Sequence, residues 1–348
     1  LYGKSHMYFV DSTPTLGDVY IDDGTTAGWK TYLVGGLRAG GKSIYALDVS
    51  DPNNFTAANV KWEFSYSPNS SDPGHDLGLT FGQPQIAAVS TTQWAAIFGN
   101  GYNSASEKAF LYIVDIADGS LIAKISTNND TSNGLSTPYP FDKNGDGIVD
   151  VIYAGDLRGN LWRFQKNSSG DWVLGNGGDP LFVARISSSD PVQAITTQPN
   201  AKIIDGKVMV YFGTGRYLEA TDLTNDDVQT FYAIWDDSEN NPGTVSRSAL
   251  LEQSIVSSTV AAGSFTTRTV TNNETIDPSN RGCYLDFPAT AGQPSERVAS
   301  SSLIKFFTTS GLNTRVIFTT STPPSDPCEK SGTSWLMELS TSCGRLGG

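Results

Sequence analysis

The segment DKNGDGIVD at 142–150 has the residue types and spacing for cation chemistry. Asp142, Asn144, Asp146 and Asp150 put oxygen-bearing side chains at positions 1, 3, 5 and 9 of an EF-hand-like loop. Gly147 falls at position 6, where such a loop turns sharply, and Ile148 at position 7, which offers a main-chain carbonyl. Calcium takes roughly six to eight hard oxygen ligands. Short acidic side chains at every second residue of a tight loop aim several oxygens inward together. Magnesium is disfavoured, because it demands strict octahedral geometry and keeps its waters. One departure stands out: position 12 is Tyr153 rather than a bidentate Glu, and it lies in a strand-like run. The expectation is therefore a compact nine-residue Ca²⁺ loop with ligands Asp142, Asn144, Asp146, Ile148 and Asp150, inserted in a β protein. The competing reading is a solvated Asp-Gly turn, in which the crowded carboxylates repel each other.

Other chemistry-bearing residues are sparse. There are 2 histidines, His6 and His75. His75 stands next to Asp76, a pairing more often met as a loop hydrogen bond than as a proton relay, and no G-x-S-x-G nucleophile motif is present. The Gly-rich stretches at 36–41 and 99–101 are read as β turns, since a phosphate cradle needs a following helix. Lys42, Arg158 and Arg216 are scattered cations of the kind usually solvated or paired. The 3 cysteines, Cys283, Cys328 and Cys343, contain no C-x-x-C pair. One disulfide plus one thiol suits an oxidising compartment, with the pairing left open and the shorter Cys328–Cys343 loop preferred.

The elements that must position the acidic loop are strands. β-branched and aromatic runs bounded by Gly, Asn, Asp and Pro recur throughout, and only Ser248–Val256 suggests a short helix. Four segments repeat one order: a Pro (Pro14, Pro84, Pro138, Pro199), a second run ending in Gly (32–36, 96–100, 152–156, 210–215), and a third carrying Tyr45, Tyr112, Trp162 or Tyr232. A degraded fifth copy spans 296–339, with Ser302 in place of Pro. Repeats of this size imply radial blades, since one small twisted sheet cannot bury both faces alone. The glycines imply close backbone approach, and the third-strand aromatics imply packing between blades. Polar stretches at 65–76, 236–248 and 260–280 are read as surface loops.

Composition agrees with this class. Of 348 residues, 38% are hydrophobic and only 17% charged, so a core is affordable while the surface must rely on Ser, Thr, Asn and Gly. The net charge of −13 opposes nucleic-acid binding, which needs a basic face. No apolar run is long enough to span a membrane as a helix.

The ordered blocks HMYFVDSTPTLGDV, YLVGGLRAGGKSIYALDVSDP, LGLTFGQP, AIFGNGYNS, LSTPYPFDKNGDGIVDVIYAGDLRGNLWRF, VYFGTGRYLE, QTFYAIWD and SDPCEKSGTSWLMEL extend from about residue 6 to about residue 340. Together they resemble the C-terminal domain of the PilC/PilY type IV pilus biogenesis and adhesion proteins. The resemblance implies an all-β modified β-propeller of about five to seven blades, a single domain over 1–348, from a longer exported protein at the bacterial surface, outer membrane or pilus tip. It implies a non-enzymatic role in which Ca²⁺ held by Asp142, Asn144, Asp146, Ile148 and Asp150 regulates pilus extension, retraction and twitching. Implied partners are pilins or minor pilins and host-cell surfaces. Cys283 stands where the family pattern has Trp, which implies a disulfide particular to this member. Two alternatives come from other classes: a quinoprotein-like propeller dehydrogenase, and an adhesin whose calcium is purely structural.

Overall fold

A computed structural model describes residues 7–22, 27–128, 130–261, 265–273, 280–289, 292–298, 300–307, 313–324, 332–341 and 343–345. Two compact units emerge: Leu1–Leu157 with Trp162–Gly178, and Arg158–Leu161 with Asp179–Gly348. Helical structure among the described residues is confined to short 3-10 turns, and no helix is long and apolar enough to cross a membrane.

The first unit is built from antiparallel meanders. β1 (Thr15–Asp22), β2 (Ala27–Gly36), β3 (Ser43–Asp48) and β4 (Val60–Ser65) pair in chain order. So do β5 (Gln85–Ala88), β6 (Trp94–Gly99), β7 (Phe110–Asp115) and β8 (Leu121–Ser126). A third sheet joins β9 (Tyr139–Phe141), β10 (Val151–Gly155), β11 (Asn160–Lys166) and β12 (Trp172–Leu174) in the same order. Pro14, Pro84 and Pro138 each stand immediately before the first strand of a sheet. A strand's first position tolerates the missing N–H.

Burial follows the strand period of two. In β6, Ala95 and Ile97 join one core cluster, while Ala96 and Phe98 join another. In β7, Leu111 and Ile113 go with the former, Tyr112 and Val114 with the latter. The second sheet is thus buried on both faces, which is why its strands read as unbroken apolar runs rather than alternating ones. Tyr112 packs between the first two sheets and Trp162 between the second and third, as their position in the repeat implies.

In the second unit, β13 (Phe182–Val183) pairs with the start of β11, at Asn160 and Leu161. β14 (Asn200–Ile204), β15 (Lys207–Gly213) and β16 (Thr230–Asp236) follow Pro199 and form the fourth blade. The next stretch departs from expectation. Ser248–Val256 forms no α-helix: a 3-10 turn at Arg247–Ala249 leads into β17 (Leu251–Gln253), and β18 (Ile255–Ala261) pairs with β19 (Phe265–Val270) as a hairpin where a loop was expected. The cause is tertiary, because β20 (Gly282–Asp286) completes the blade against β16 and takes β17 as a parallel neighbour. Pairing and burial override the weak local helix propensity. The degraded fifth copy is real. β21 (Arg297–Val298) and β22 (Leu303–Phe307) share one edge of β23 (Asn313–Thr322), and β24 (Thr333–Ser340) takes the other. Ser302 sits immediately before β22, in the position the prolines hold elsewhere.

The repeat glycines have a shared cause. A Cβ on Gly99 would come within 2.3 Å of the Ser136 carbonyl oxygen, on the chain entering the third sheet. One on Gly213 would meet the Val298 side chain at 2.1 Å, and one on Gly36 would meet Thr80 Oγ1 at 3.0 Å. In each case the end of a second strand is crossed by the chain entering the next sheet, leaving no room for a side chain at Gly99 and Gly213 and little at Gly36.

The candidate cation loop and its relatives

Phe141 pairs with Val151 in the β9–β10 ladder, so residues 142–150 form a nine-residue hairpin loop. Its base is fixed on both sides. Asp150 N donates to Phe141 O at 3.1 Å, and Val149 N donates to Ala88 O at 2.9 Å. Ile148 forms a parallel bridge with Ala88, and Val149 is buried in the cluster shared by the second and third sheets. The apolar half of the motif therefore moors the loop, while Asn144–Gly147 is exposed.

Within the loop, backbone amides turn toward the acidic side chains. Asp142 Oδ1 accepts from Asn144 N (3.1 Å) and Gly145 N (2.7 Å), and Asp142 Oδ2 from Gly147 N (2.7 Å). Asn144 Oδ1 accepts from Asp146 N, Asp146 Oδ1 from Ile148 N, and Asp150 Oδ2 from Lys143 N. Such curling needs left-handed backbone at two points, Gly145 (φ 82°) and Gly147 (φ 86°), where a residue with a Cβ is strained. Partial desolvation raises the pKa of Asp142, but the amides of Gly147, Gly145 and Asn144 outweigh it and hold the carboxyl below its ordinary range. Asp142 is thus an anion that organises the loop around itself.

The donor set suits a hard cation. A carboxylate offers about four lone-pair sites, so the amide bonds leave acceptor capacity on Asp142 Oδ2, Asp146 and Asp150. Asn144 adds an amide oxygen and Ile148 a main-chain carbonyl. No group of three or more His, Cys, Asp or Glu side chains converges as a metal cluster among the described residues. The five expected ligands do share one loop, and its mooring to β5 is a feature that local spacing could not reveal.

The secondary candidates resolve into structure. Asp76 is salt-bridged to Lys124, while His75 stacks on Tyr66 with Nδ1 3.1 Å from Ser67 O, so the pair forms no relay. Lys42 Nζ donates to Asn103 O, and Arg216 pairs with the buried Asp222. The preferred Cys328–Cys343 disulfide is overturned. Cys343 bonds Cys283, with Cα atoms 6.1 Å apart, and both are buried in the core of the second unit; Cys328 lies outside the described residues, as does His6. Loop length misled, because the β16–β20 pairing, which no cysteine spacing encodes, carries Cys283 into the core beside Cys343.

Repeated antiparallel blades with an oxygen-rich hairpin loop define the class: a β-propeller domain bearing a candidate cation loop. The family model of the PilY1 beta-propeller domain matches residues 1–268, and the chain belongs to this family. It is 37% identical to the type IV pilus biogenesis factor PilY1 homolog of Xylella fastidiosa, over 97% of this chain and 23% of that protein. It is 33% identical to the type IV pilus biogenesis factor PilY1 of Pseudomonas aeruginosa PAO1, over 97% of this chain and 31% of that protein. The crystal structure of the Pseudomonas aeruginosa PilY1 C-terminal domain superposes with a TM-score of 0.79 at 30% identity, covering 96% of this chain and 70% of the other. The chain thus spans about a quarter to a third of the length of these curated relatives.

Proposed function

We propose that this chain is the propeller portion of a type IV pilus biogenesis factor, and that its 142–150 loop binds Ca²⁺ and couples ion occupancy to pilus function. Family membership and the names of the relatives support the first half. The observation that carries the second is the loop itself: an exposed, glycine-curled turn organised around an ionised Asp142 and moored by Ile148 and Val149. Asp142, Asn144, Asp146 and Asp150 would hold the ion through side-chain oxygens and Ile148 through its carbonyl. Bound calcium supplies positive charge that relieves carboxylate repulsion. An ion that prefers the ordered loop stabilises it by RT ln(1+[L]/Kd), and at extracellular calcium levels a weak site suffices.

In this reading the domain is non-enzymatic and exported, stands at the cell surface or pilus tip, and contacts pilins or minor pilins and host-cell surfaces. Calcium occupancy biases pili between extension and retraction, and so twitching. Terbium luminescence or calorimetry on Asp142→Ala tests the site, with loss of binding expected; unchanged affinity sinks it. Twitching and pilus extension in a strain carrying the same substitution test the coupling. A protein that loses calcium and melts lower, in cells with normal pilus dynamics, would mean the ion is purely structural.

A further inference from the structure

The β1–β2 hairpin outruns its blade. β3 pairs only with Tyr32–Gly36 of β2, whereas β1 continues to pair β2 back to Ala27. A two-stranded ribbon therefore projects past the sheet, and its register puts an unusual surface on one face. Asp18 opposes Thr31, Tyr20 opposes Trp29, and Asp22 occupies the next same-face position of β1. Trp29 is 65% exposed and Tyr20 44%. Side by side on one face of the ribbon, the two rings form a small exposed aromatic patch.

These rings are exposed but not loose. Trp29 meets Tyr20 edge-on, centroids 5.7 Å apart at 76°, and meets the half-buried Trp94 at 6.0 Å and 73°. Two nearly perpendicular neighbours fix the indole, so a ligand that stacks on it costs little ordering entropy. Beside the aromatic pair, Asp18 Oδ1 accepts from Thr31 Oγ1 at 2.7 Å, which orients an exposed carboxylate and hydroxyl. Same-face positions along a strand lie about 7 Å apart, so carboxylate, ring pair and carboxylate follow one another in a row.

We propose that this ribbon is a carbohydrate-binding site for one neutral pyranose unit of a glycan. The apolar C–H face of a pyranose stacks on an open aromatic plane, and its equatorial hydroxyls donate to the Asp18 carboxylate beside it. Because the Tyr20 plane stands at 76° to Trp29, the pair offers one stacking plane bordered by a second ring, a seat for a single pyranose. The carboxylates also set what the site rejects. Anionic lipid or acidic sugar is repelled by Asp18, Asp22 and the net charge of −13. A quaternary ammonium ion calls for an enclosing aromatic cage, and this platform is open on its outer side. The inference is independent of the calcium loop and of the role in pili.

The test titrates the full chain with cellotetraose and chitotetraose, read by calorimetry and tryptophan fluorescence. Saturable binding of at least one is expected. Trp29→Ala should weaken it by at least about tenfold, the loss of one good aromatic contact, with a melting temperature only a few degrees lower, since the ring is mostly exposed but gives up two edge contacts. Asp18→Asn should weaken it less. Failure of both sugars to bind at millimolar concentration, affinity unaltered in Trp29→Ala, or binding of choline in their place would each overturn the proposal.

Discussion

Asp142 does at the residue scale what a helix N-cap does elsewhere: it collects amides that the turn would otherwise leave unpaired. Its folded-state pKa is depressed, so its contribution to stability is fully present above the ordinary carboxylate pKa of about 3.9 and is lost as pH falls through the folded value. Acidification should therefore loosen the loop before the sheets unfold, and calcium affinity should fall with it. Amide exchange at Gly145 and Gly147 across an acid titration checks this. A flat profile down to global unfolding would mean that Asp142 is not the organiser. Asp142→Asn keeps the shape and one acceptor oxygen but removes the charge. It should cost calcium affinity while changing the melting temperature of the calcium-free protein by only a few degrees, as terbium titration and calorimetry would show.

At the scale of elements, the repeat glycines make the sharpest claim. Gly99→Ala drives a methyl group into the Ser136 and Leu135 carbonyl oxygens, which belong to backbone and cannot rotate away. A loss of roughly 3 kcal/mol is expected from such overpacking, measurable by urea unfolding. Gly145→Ala is the contrast: nothing lies within 4 Å of the new methyl, and only the positive φ is strained. Its cost should be about 1 kcal/mol and local to the loop. The order Pro, strand, Gly, aromatic strand was legible in the sequence because each symbol answers to one local constraint: a missing N–H, a crossing chain, a face against the next sheet. The β17–β19 segment was not, because β17 exists only through its parallel pairing with β20 far along the chain, and the β18–β19 hairpin lies in a Thr-rich stretch that reads as a polar loop.

On the scale of the whole molecule, the Cys283–Cys343 bond closes a loop of 60 residues within the second unit. The chain-entropy model assigns such a crosslink about 4 kcal/mol. Reduction, or Cys283→Ser, should lower the melting temperature of the second unit and leave calcium binding in the first unchanged, as scanning calorimetry with and without reductant would show. Loss of terbium binding on reduction would contradict that separation. Chelation should act the other way, lowering the stability of the first unit alone.

The sequence by itself determined what depends on neighbours along the chain. The acidic loop, the blade repeat, the strand-opening prolines and the close-approach glycines are each set by spacing within a few residues, and backbone sterics and ligand chemistry read that spacing directly. Tertiary structure alone decided what depends on distant partners. It set the anchoring of Ile148 and Val149 on β5, the pairing of Cys283 with Cys343, the return of β20 to complete the fourth blade, and the contact of Trp29 with Trp94. These contacts join residues tens of positions apart, and their energy comes from burial and pairing that exist only once the sheets have assembled.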